Sequence, residues 1–596
     1  MSLPKKRALV FATFIGLMGL LPHLLFSLNV GSLHYLNSAW DEDSYTKYLL
    51  THHDVVYRLF SHTLLRIVHS VLGLDWAIIS MDTFLPAVAA VIAVVLAHAL
   101  GFNQRKHWFF AAFFMLFPLE MLAFCHPYFW QEFVMHASPF AGPIYPSWFR
   151  EFVPSVFQNF FSIYKASEPQ FTIIFHLFAL WALLRYTQTL ARRYALMLIP
   201  VALVLPFIYI TTGISLLLFV GGYAVLGLLL TPHRRYWLWL LATGITAGYV
   251  GAAHLLFPNT FEGPAFLFHS RLPIIGGSMV YGLLGLLLVY RTLLGHLKFR
   301  RTNPPEYVLL LIAAFAVPII ALNQQLITGV MVQSRTWEYY SNYPFVAFGI
   351  LLVWPQIMVL LKANLAGRVR RSAKYVLPII ILLFVVAQFM TYKAYQKSDL
   401  LGLALSDGVK AAGDFDGYVL LDNPDHDSQV WLRTGNPDLK ILAGYQEIIA
   451  HPIPVLGDEK YDAAYDYMKE QAFTLFDRKG HTPYELQELI TNGIGTGGWY
   501  VRYFFALLDC WYPLSDFRLR NPDAMLARVP DIVADYQEFL NDPKRRNQFG
   551  ELLYITEAPI QELREVPWVN HKVAMVIEGK WRQKTVYVYK QTPLEK

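Results

Sequence analysis

Eleven stretches of mostly apolar residues divide positions 1–392 of the chain. A segment of about 20 such residues is long enough to cross the hydrocarbon core of a bilayer as an α-helix. The stretches occupy residues 8–28, 78–100, 108–124, 169–187, 194–210, 213–231, 237–257, 273–294, 307–328, 345–361 and 375–392. The fifth and sixth can also form one long segment kinked around Pro206 and Gly213. The pattern predicts a polytopic α-helical membrane protein with about 11 or more transmembrane helices.

From residue 393 onward the pattern becomes that of a soluble domain. Residues 417–422 predict a buried strand, residues 458–475 a helix, and residues 573–577 with 585–589 a hairpin. No clear strand precedes the glycine-rich run at 493–498, which argues against a nucleotide-binding loop and favours a flexible loop. We therefore expect a membrane domain at 1–392 and a mixed α/β domain at 393–596.

Composition and charge agree with this division. Only 15% of the 596 residues are charged and 55% are hydrophobic, whereas a soluble domain carries about 25% charged residues. This excludes a soluble enzyme, a nucleic-acid-binding protein and a disordered chain. The net charge of +6 averages two different regions. Residues 1–392 hold 26 Lys and Arg against 13 Asp and Glu, and residues 393–596 hold 23 against 30.

The basic residues predict the orientation of the spans. With the N-terminus in the cytoplasm, 19 of the 26 basic residues before position 393 fall in cytoplasmic connections, as the positive-inside rule requires. No small-residue cleavage site cleanly follows the first stretch, so we expect it to remain as a span. An odd number of spans then places the C-terminal domain on the extracytoplasmic side of a cell membrane.

The acidic residues gather on the opposite side. Of the 13 before position 393, only Glu306 falls in a predicted cytoplasmic loop. The densest group, Asp41-Glu42-Asp43, directly follows the first span. Adjacent carboxylates raise one another's pKa, so this position favours a site where a cation, a proton or a bound partner offsets them, with a solvated turn as the alternative. Residues 56–71 then repeat apolar side chains at helical spacing, which predicts an amphipathic helix lying in the membrane interface.

These features together resemble the GT-C superfamily of membrane glycosyltransferases. The resemblance rests on the Asp41-Glu42-x-x-Tyr45 pattern in the first outer loop, the interfacial helix after it, the alternating spans and the extracytoplasmic C-terminal domain. The superfamily includes protein O-mannosyltransferases, lipid A aminoarabinose transferases and oligosaccharyltransferases. Residues 168–171 (Glu-Pro-Gln-Phe) and Asn323–Gly329 are similar to motifs of its bacterial members.

The resemblance implies an activity in the cell envelope. A sugar moves from a polyprenyl-phosphate-linked lipid donor to a glycan, lipid or protein acceptor at an active site facing the periplasm. In such enzymes a first-loop carboxylate is the general base on the acceptor hydroxyl, which carries over to Asp41, with Asp43 as the rival and Glu42 in support. Attack opposite the leaving phosphate inverts the anomeric centre. The expected partners are the lipid donor, the acceptor and membrane lipids, with no nucleic acid.

The donor phosphate needs cations, and the guanidinium fork of arginine suits phosphate oxygens. Arg335 is the first choice because it follows the Asn323–Gly329 motif and stands among aromatic residues. The other basic candidates in the outer loops are Arg271, Arg150, Arg58 and Lys47. Some family members carry an arginine two residues after the Asp-Glu pair, where this chain has Ser44.

Further polar residues are expected at the acceptor side or in the cavity: Tyr45, Glu132, His136 and Asp82. His126 and His136 with the first-loop acids leave a divalent metal open. No fixed ligand spacing defines such a site, so the sequence assigns no metal and no other cofactor.

Other functions compete with this interpretation. One is a transporter or flippase for lipid-linked saccharides, although the deep parts of the predicted spans are nearly uncharged and a transporter more often places charged groups there. Another is an enzyme like the O-antigen ligases or polymerases, which would depend on loop Arg and His residues. A third is a non-catalytic scaffold that displays the C-terminal domain.

Overall fold

The computed structural model describes a set of residue ranges that covers most of the predicted spans and parts of the C-terminal domain. These ranges are 3–36, 59–103, 107–122, 164, 170–208, 210–230, 234–256, 267–269, 277–295, 305–328, 330–332, 337–365, 379, 381–382, 384–386, 388–389, 392, 400–405, 409, 415, 417–421, 439–442, 459–478, 480–496, 522–556, 575–579 and 582–591.

All eleven apolar stretches coincide with helical residues. The helices before the C-terminal domain are α1 Leu3–Val30, α2 Leu59–Leu72, α3 Leu74–Ala99, α4 His107–Leu116, α5 Pro118–Leu122, α6 Gln170–Thr189, α7 Arg192–Ile208, α8 Ile210–Leu230, α9 Arg234–Leu256, α10 Gly277–Gly295, α11 Pro305–Leu322, α12 Gln325–Thr328 and α13 Tyr343–Leu365. The described residues between 379 and 392 are helical as well. The fifth and sixth predicted spans are the separate helices α7 and α8.

Three of the described helices are long and apolar enough to cross a membrane by themselves: Lys5–Val30, Leu74–Ala99 and Thr211–Leu230. A helix of 26 residues is about 39 Å long, which exceeds the ~30 Å hydrocarbon core. The shorter apolar helices include His107–Leu116, Gly277–Arg291 and Glu306–Leu322. The chain is therefore a helical membrane protein, and the count of eleven spans remains a prediction.

Prolines and local turns shorten two of the predicted spans. The stretch at 108–124 is divided between α4 and α5, because Pro118 has no N–H for a helical hydrogen bond and begins the second helix. The stretch at 307–328 ends at Leu322 and resumes in the short α12. A π-helix at Trp337–Asn342 leads directly into α13. Such wide turns interrupt regular helices and are common at functional sites.

The predicted interfacial helix corresponds to α2, which packs against α3 and α7. Leu65 is buried, whereas Ile67 and Val71 are 55% and 75% exposed. One apolar side of α2 therefore contacts the protein, and another is left open to the surroundings. Its position in the membrane interface stays a prediction.

The C-terminal domain contains five strands: β3 Tyr418–Leu421, β4 Lys440–Ile441, β5 Leu552–Thr556, β6 Met575–Gly579 and β7 Arg582–Gln591. They form one mixed sheet in the order β4-β3-β5-β7-β6. The helices of the domain are α14 Glu459–Arg478, α15 Pro483–Thr496, α16 Pro522–Asn541 and α17 Pro543–Arg546. The short strands β1 Leu267–His269 and β2 Val330–Val332 pair separately, before this domain. β3 is parallel to β4 and β5, and β7 is antiparallel to β5 and β6.

Alternating side chains give this sheet two buried faces. Leu420, Leu552 and Tyr554 pack against the helices of the domain. Val419 and Leu553 pack against the helical residues Leu401, Ala404, Leu405 and Val409. The predicted strand at 417–422, the helix at 458–475 and the terminal hairpin are all confirmed by β3, α14 and the β6–β7 pair.

The expected flexible loop at 493–498 was wrong for its first four residues, which form the end of α15. Thr482 and Glu485 explain why a helix begins shortly before this glycine-rich run. The Thr482 hydroxyl accepts a hydrogen bond from the Glu485 N–H (3.2 Å), and the Glu485 carboxylate accepts one from the Thr482 N–H (2.9 Å). This capping box starts the helix, and the buried Leu486 and Ile490 hold it in place.

Candidate functional site: a buried carboxylate joining three helices

Helices α1 and α3 approach each other closely because α1 carries glycines on the facing side. A Cβ atom at Gly19 would lie 2.1 Å from the backbone oxygen of Asp82, and one at Gly16 would lie 3.0 Å from that of Thr83. His23 follows Gly19 by four residues and therefore lies on the same face of α1. The glycines thus bring the His23 side chain against α3.

Asp82 of α3 is fully buried and connects three helices. Its Oδ2 lies 3.1 Å from Nε2 of His23 in α1. Its Oδ1 accepts a hydrogen bond of 2.5 Å from the Gln170 side-chain amide in α6. We call these three side chains the Asp82 cluster. Since the partners lie 59 and 88 residues away in sequence, the cluster exists only through helix packing.

The hydrogen bonds of His23 define its role. Its Nδ1 accepts from the backbone N–H of Leu36 at 2.9 Å, so in this arrangement Nδ1 carries no proton. A neutral imidazole then carries its proton on Nε2 and donates it to Asp82. The contact is therefore a hydrogen bond to a neutral histidine and not an ion pair. Both carboxylate oxygens of Asp82 accept from uncharged donors.

The segment after α1, where the predicted first outer loop begins, is held against α1 and α3. After α1, Gly31 adopts a φ of +83°, which turns the chain back. The Ser27 hydroxyl donates to the His34 carbonyl (2.9 Å), and Asp75 of α3 accepts from the Tyr35 N–H (3.0 Å). With Leu36 bound to His23, three consecutive residues are held against α1 and α3. The acidic triplet predicted to act in catalysis begins five residues after Leu36.

Tyr164, in the predicted second outer loop, contacts the same helices. Its hydroxyl donates to the backbone oxygen of Ile15 at 3.0 Å, and its side chain is almost fully buried. A Cβ at Gly19 would lie 2.8 Å from the Tyr164 ring, so the glycine also makes room for this contact. Tyr164 near the end of the predicted second outer loop and Gln170 just after it therefore both contact α1 or α3 near Asp82.

At the opposite ends of the helices, basic and amide side chains bind backbone carbonyls or a carboxylate. Arg7 at the start of α1 donates to the Asn103 carbonyl beyond α3 (2.9 Å), and Gln188 near the end of α6 donates to the Ala99 carbonyl (2.8 Å). Arg235 forms an ion pair with Glu306, joining the starts of α9 and α11. The bundle thus has one end where basic side chains meet carbonyls and a carboxylate, and an opposite end that contains the Asp82 cluster.

Of the residues predicted to act in the site, Asp82 is the one with a described side chain. The others fall outside the described residues: Asp41, Glu42, Asp43, Tyr45, Lys47, Arg58, Glu132, His136, Arg150, Arg271 and Arg335. The pairing of β1 with β2 places His269 opposite Val330 and Leu267 opposite Val332. Two of the predicted phosphate-binding residues follow these strands closely in sequence.

The sequence reasoning missed His23 and did not assign a role to Gln170, although Gln170 stands in the 168–171 motif. The sequence does contain a pattern that indicates a role for His23. Gly16, Gly19 and His23 share one face of an otherwise apolar span, a spacing typical of a close helix crossing with a polar contact. For the metal hypothesis, the described residues contain no group of three or more His, Cys, Asp or Glu side chains placed to hold an ion. His126 and His136 lie outside them.

Comparison with known proteins adds no assignment. No protein-family model matches the chain, and no curated protein is significantly similar to it.

Proposed function

We propose that this chain is an integral-membrane glycosyltransferase of the GT-C type. It transfers a sugar from a polyprenyl-phosphate donor to an acceptor hydroxyl on the extracytoplasmic side. The observation that carries the proposal is the anchoring of residues 34–36 to α1 and α3, in which Leu36 bonds to His23 of the Asp82 cluster. A general base needs a fixed position relative to its substrate, and this anchor supplies a rigid starting point for the loop that holds Asp41.

Asp41 is the proposed general base, with Asp43 as the alternative and Glu42 in support. The base takes the proton of the acceptor hydroxyl as its oxygen attacks the anomeric carbon. The bond from that carbon to the phosphate oxygen breaks on the opposite face, which inverts the configuration. Arg335 and Arg271 are proposed to bind the leaving phosphate. Arg335 is the first choice because it follows the Asn323–Gly329 motif.

The Asp82 cluster is proposed as a positioning element rather than a catalytic group. Its carboxylate is enclosed by α1, α3 and α6 and is bound to His23 and Gln170. Its effect is transmitted through His23 to the backbone of Leu36. A weakened cluster should therefore loosen the first outer loop while leaving the chemistry of Asp41 itself unchanged.

The proposed orientation places the N-terminus in the cytoplasm and the C-terminal domain outside. It is supported by the separation between the two ends of the bundle. Arg7, Arg185 and Arg235 lie near the helix ends assigned to the cytoplasm, where Arg7 and Arg235 also stack on Trp108 and Tyr236. Basic and aromatic side chains of this kind are typical of a membrane interface.

The test is sugar transfer from a radiolabelled polyprenyl-phosphate sugar to endogenous acceptor in membranes. Asp41→Asn should leave the protein folded and lower transfer by at least about a hundredfold, because a general base contributes roughly 10²–10⁴ to the rate. Asp531→Asn, which removes an exposed carboxylate far along the chain from the proposed site, is the control and should retain the activity. If Asp41→Asn and Asp43→Asn both retain normal turnover, the assignment of the base is wrong.

A transporter of lipid-linked saccharides is the second candidate. It is favoured by the burial of an ionisable side chain, Asp82, inside an apolar bundle, since such groups often mark transport pathways. Purified protein in proteoliposomes distinguishes the two functions. A transporter moves fluorescent lipid-linked sugar between leaflets without acceptor and depends on Asp82. A glycosyltransferase consumes the donor only when acceptor is present.

A further inference from the structure

A second group of buried polar side chains lies apart from the Asp82 cluster, where α6, α8, α10 and the π-helix come together. We call it the polar layer. All its members are at most 1% exposed, and they are Thr172, Thr211, Thr212, Ser215, Ser278, Ser341 and Asn342. Three of these helices begin close to the layer, so it lies at the predicted outer ends of the spans. Seven polar side chains in an apolar bundle need hydrogen-bond partners.

Hydrogen bonds tie the polar layer across three elements. The Ser341 hydroxyl of the π-helix lies 3.1 Å from Thr211 Oγ1 and 3.0 Å from Thr212 Oγ1, both in α8. The Asn342 side-chain amide donates to the Ser278 hydroxyl of α10 at 3.2 Å. The π-helix is thus fixed to α8 on one side and to α10 on the other.

An aromatic layer lies one helical turn below the polar layer. The His176 and Phe345 rings are 4.5 Å apart, and the Phe219 and Phe345 rings are 4.8 Å apart. Each ring follows a member of the polar layer by four residues: His176 follows Thr172, Phe219 follows Ser215, and Phe345 follows Ser341. Since residues four apart lie on one face of a helix, the hydroxyls stand directly above these rings.

Several polar atoms at this place have no hydrogen-bond partner among the described residues. They are Thr172 Oγ1, Ser215 Oγ, Asn342 Oδ1, both ring nitrogens of His176 and Nε1 of Trp337. Leaving a buried polar atom without a partner costs about 1–3 kcal/mol, so native structures contain few of them. Six such atoms, in the polar layer, the aromatic layer and the adjoining Trp337, are a large cost to stability. Sites that bind a ligand commonly carry such a cost.

The chemistry of these atoms restricts the ligand. Apart from His176, the groups are hydroxyls, an amide oxygen and an indole N–H, none of which titrates near neutral pH. They can pair with hydroxyl groups, which both donate and accept. A cationic or anionic ligand would be buried here without an opposite charge among the described side chains, at a large desolvation cost. An uncharged sugar ring combines hydroxyls with an apolar face that fits an aromatic layer.

We propose that the polar layer binds the uncharged sugar ring of the lipid-linked donor. This inference rests on the proposed glycosyltransferase function and adds the class of sugar: an uncharged hexose or pentose rather than a sugar with a free, protonated amine. Trp337 connects the two proposals, because it stands two residues after Arg335 in sequence. A sugar at the polar layer and a phosphate at Arg335 would therefore use one continuous segment of the chain.

The experiment measures binding of synthetic lipids to the full-length protein in detergent, using microscale thermophoresis. The probes are farnesyl phosphate, farnesyl-phosphoryl-mannose, farnesyl-phosphoryl-glucose and farnesyl-phosphoryl-aminoarabinose. We expect at least one neutral sugar lipid to bind about tenfold or more tightly than farnesyl phosphate, with the aminoarabinose lipid binding no better than the bare phosphate.

The variants are Ser215→Ala and Asn342→Leu, with Thr246→Val as the control. Thr246 is also buried, but its hydroxyl bonds to the Ala242 carbonyl of its own helix. Ser215→Ala removes a hydroxyl that has no partner among the described residues, so it should raise the thermal unfolding midpoint of the free protein. It should also lower affinity for the neutral sugar lipid by about threefold or more. A purely structural hydroxyl would not change these two quantities in opposite directions.

The outcomes separate the two proposals. If wild-type protein binds none of the phosphate lipids, the glycosyltransferase proposal fails. If it binds farnesyl phosphate and the neutral sugar lipids equally, the polar layer does not bind sugar, although the proposed function still stands. Equal losses of affinity for bare and sugar-bearing lipid in Asn342→Leu, or tight binding of the aminoarabinose lipid, would also overturn the inference. If Asn342→Leu does not fold, Ser215→Ala decides alone.

Discussion

Two buried or half-buried carboxylates of this chain, Asp82 in the helical bundle and Asp535 in the C-terminal domain, have opposite kinds of partners. Asp82 accepts hydrogen bonds from a neutral histidine and an amide. Asp535 in α16 contacts two cations, Lys469 at 2.6 Å and Arg545 at 2.9 Å. The first carboxylate is enclosed by apolar helices without an opposite charge among its described contacts, whereas the second belongs to an ion-pair network.

The difference separates a candidate positioning element from a structural network. Around Asp535, Arg545 also pairs with Glu470, and the neighbouring Arg546 pairs with Asp477 at 2.7 Å. These contacts join α14, α16 and α17, and each pairs a carboxylate with a cation, as is usual for charged groups that are partly buried. A carboxylate with neutral partners in an apolar bundle is costly, and such groups are commonly functional.

The largest effect is expected from Gly19→Ala, which removes the close approach that forms the Asp82 cluster. The added Cβ would lie 2.1 Å from the Asp82 backbone oxygen, so α1 and α3 must separate. We expect a loss of about 3 kcal/mol or more in stability, at the upper end for overpacking. The measurement is the thermal unfolding midpoint in detergent. Gly222→Ala is the control, because a Cβ there meets no atom within 4 Å and alanine favours a helix. An equal loss in both variants would mean that the glycine contact has no special role.

The next effect concerns the partners of Asp82 rather than its charge. Asp82→Leu leaves the His23 and Gln170 donors without their acceptor and should cost about 2–5 kcal/mol. Asp82→Asn should cost less than about 1 kcal/mol. The new amide can accept from His23, and Gln170 can turn its Oε1, which has no partner among the described atoms, toward the new N–H. Chemical unfolding of both variants checks this. A loss for Asp82→Asn as large as that for Asp82→Leu would show that the charge itself is required.

Acidification should weaken the Asp535 network. Burial alone would raise the pKa of Asp535, but hydrogen bonds from Lys469 and Arg545 and their positive charges lower it below the ordinary value of 3.8. A carboxyl with a lowered folded-state pKa stabilises the protein above its unfolded-state pKa. It loses that contribution as the pH falls through the folded-state pKa. Hydrogen-exchange protection of α16 in the full-length protein, corrected for intrinsic rates, should therefore fall as the pH drops below the ordinary value of 3.8.

The same experiment on two variants isolates this residue. Asp535→Asn should cost about 1 kcal/mol at neutral pH and reduce the acid dependence. Asp531→Asn, which removes an exposed carboxylate of the same helix, should change neither. Acid dependence that is unchanged in Asp535→Asn would assign it to another group.

The smallest effect is the response to salt. At 1 M ionic strength the Debye length is about 3 Å, so exposed and half-exposed ion pairs are screened while buried hydrogen bonds are not. The cost of Asp535→Asn should shrink in high salt, and the cost of Asp82→Leu should stay the same. Unfolding of both variants at low and high salt measures this difference. If both costs respond alike, the two carboxylates do not differ in solvent access as described.

Most elements were predictable because their signals are local. An apolar run of about 20 residues predicts a helix wherever it stands, and all eleven stretches coincide with helical residues. The predicted ends of the helices were less accurate where a proline interrupts the backbone hydrogen bonds, as at Pro118. The glycine-rich run at 493–498 was predicted as a loop because glycine disfavours helices. The helix that includes its first residues begins earlier, at the capping box of Thr482 and Glu485. A capping box is itself local and readable from sequence.

Less of the candidate site than of the fold was predictable from the sequence. Asp82 stands out in the sequence because a carboxylate within an apolar stretch is rare. Its partners do not, because His23 and Gln170 are ordinary polar residues until helix packing places them beside it. The polar layer was also missed, since single Ser and Thr residues near helix ends carry no distinctive pattern. The proposed catalytic residues in the outer loops remain predictions from sequence.

The sequence by itself determined the class of the molecule: a bundle of apolar helices followed by a mixed α/β domain, with opposite net charges in the two regions. These properties depend on composition and on spacing within about 20 residues, which one segment carries alone. The tertiary structure decided which polar groups meet. A hydrogen bond acts only over about 3 Å, so the pairing of Asp82 with residues 59 and 88 positions away depends on how α1, α3 and α6 pack. That packing in turn depends on the absent side chain of Gly19.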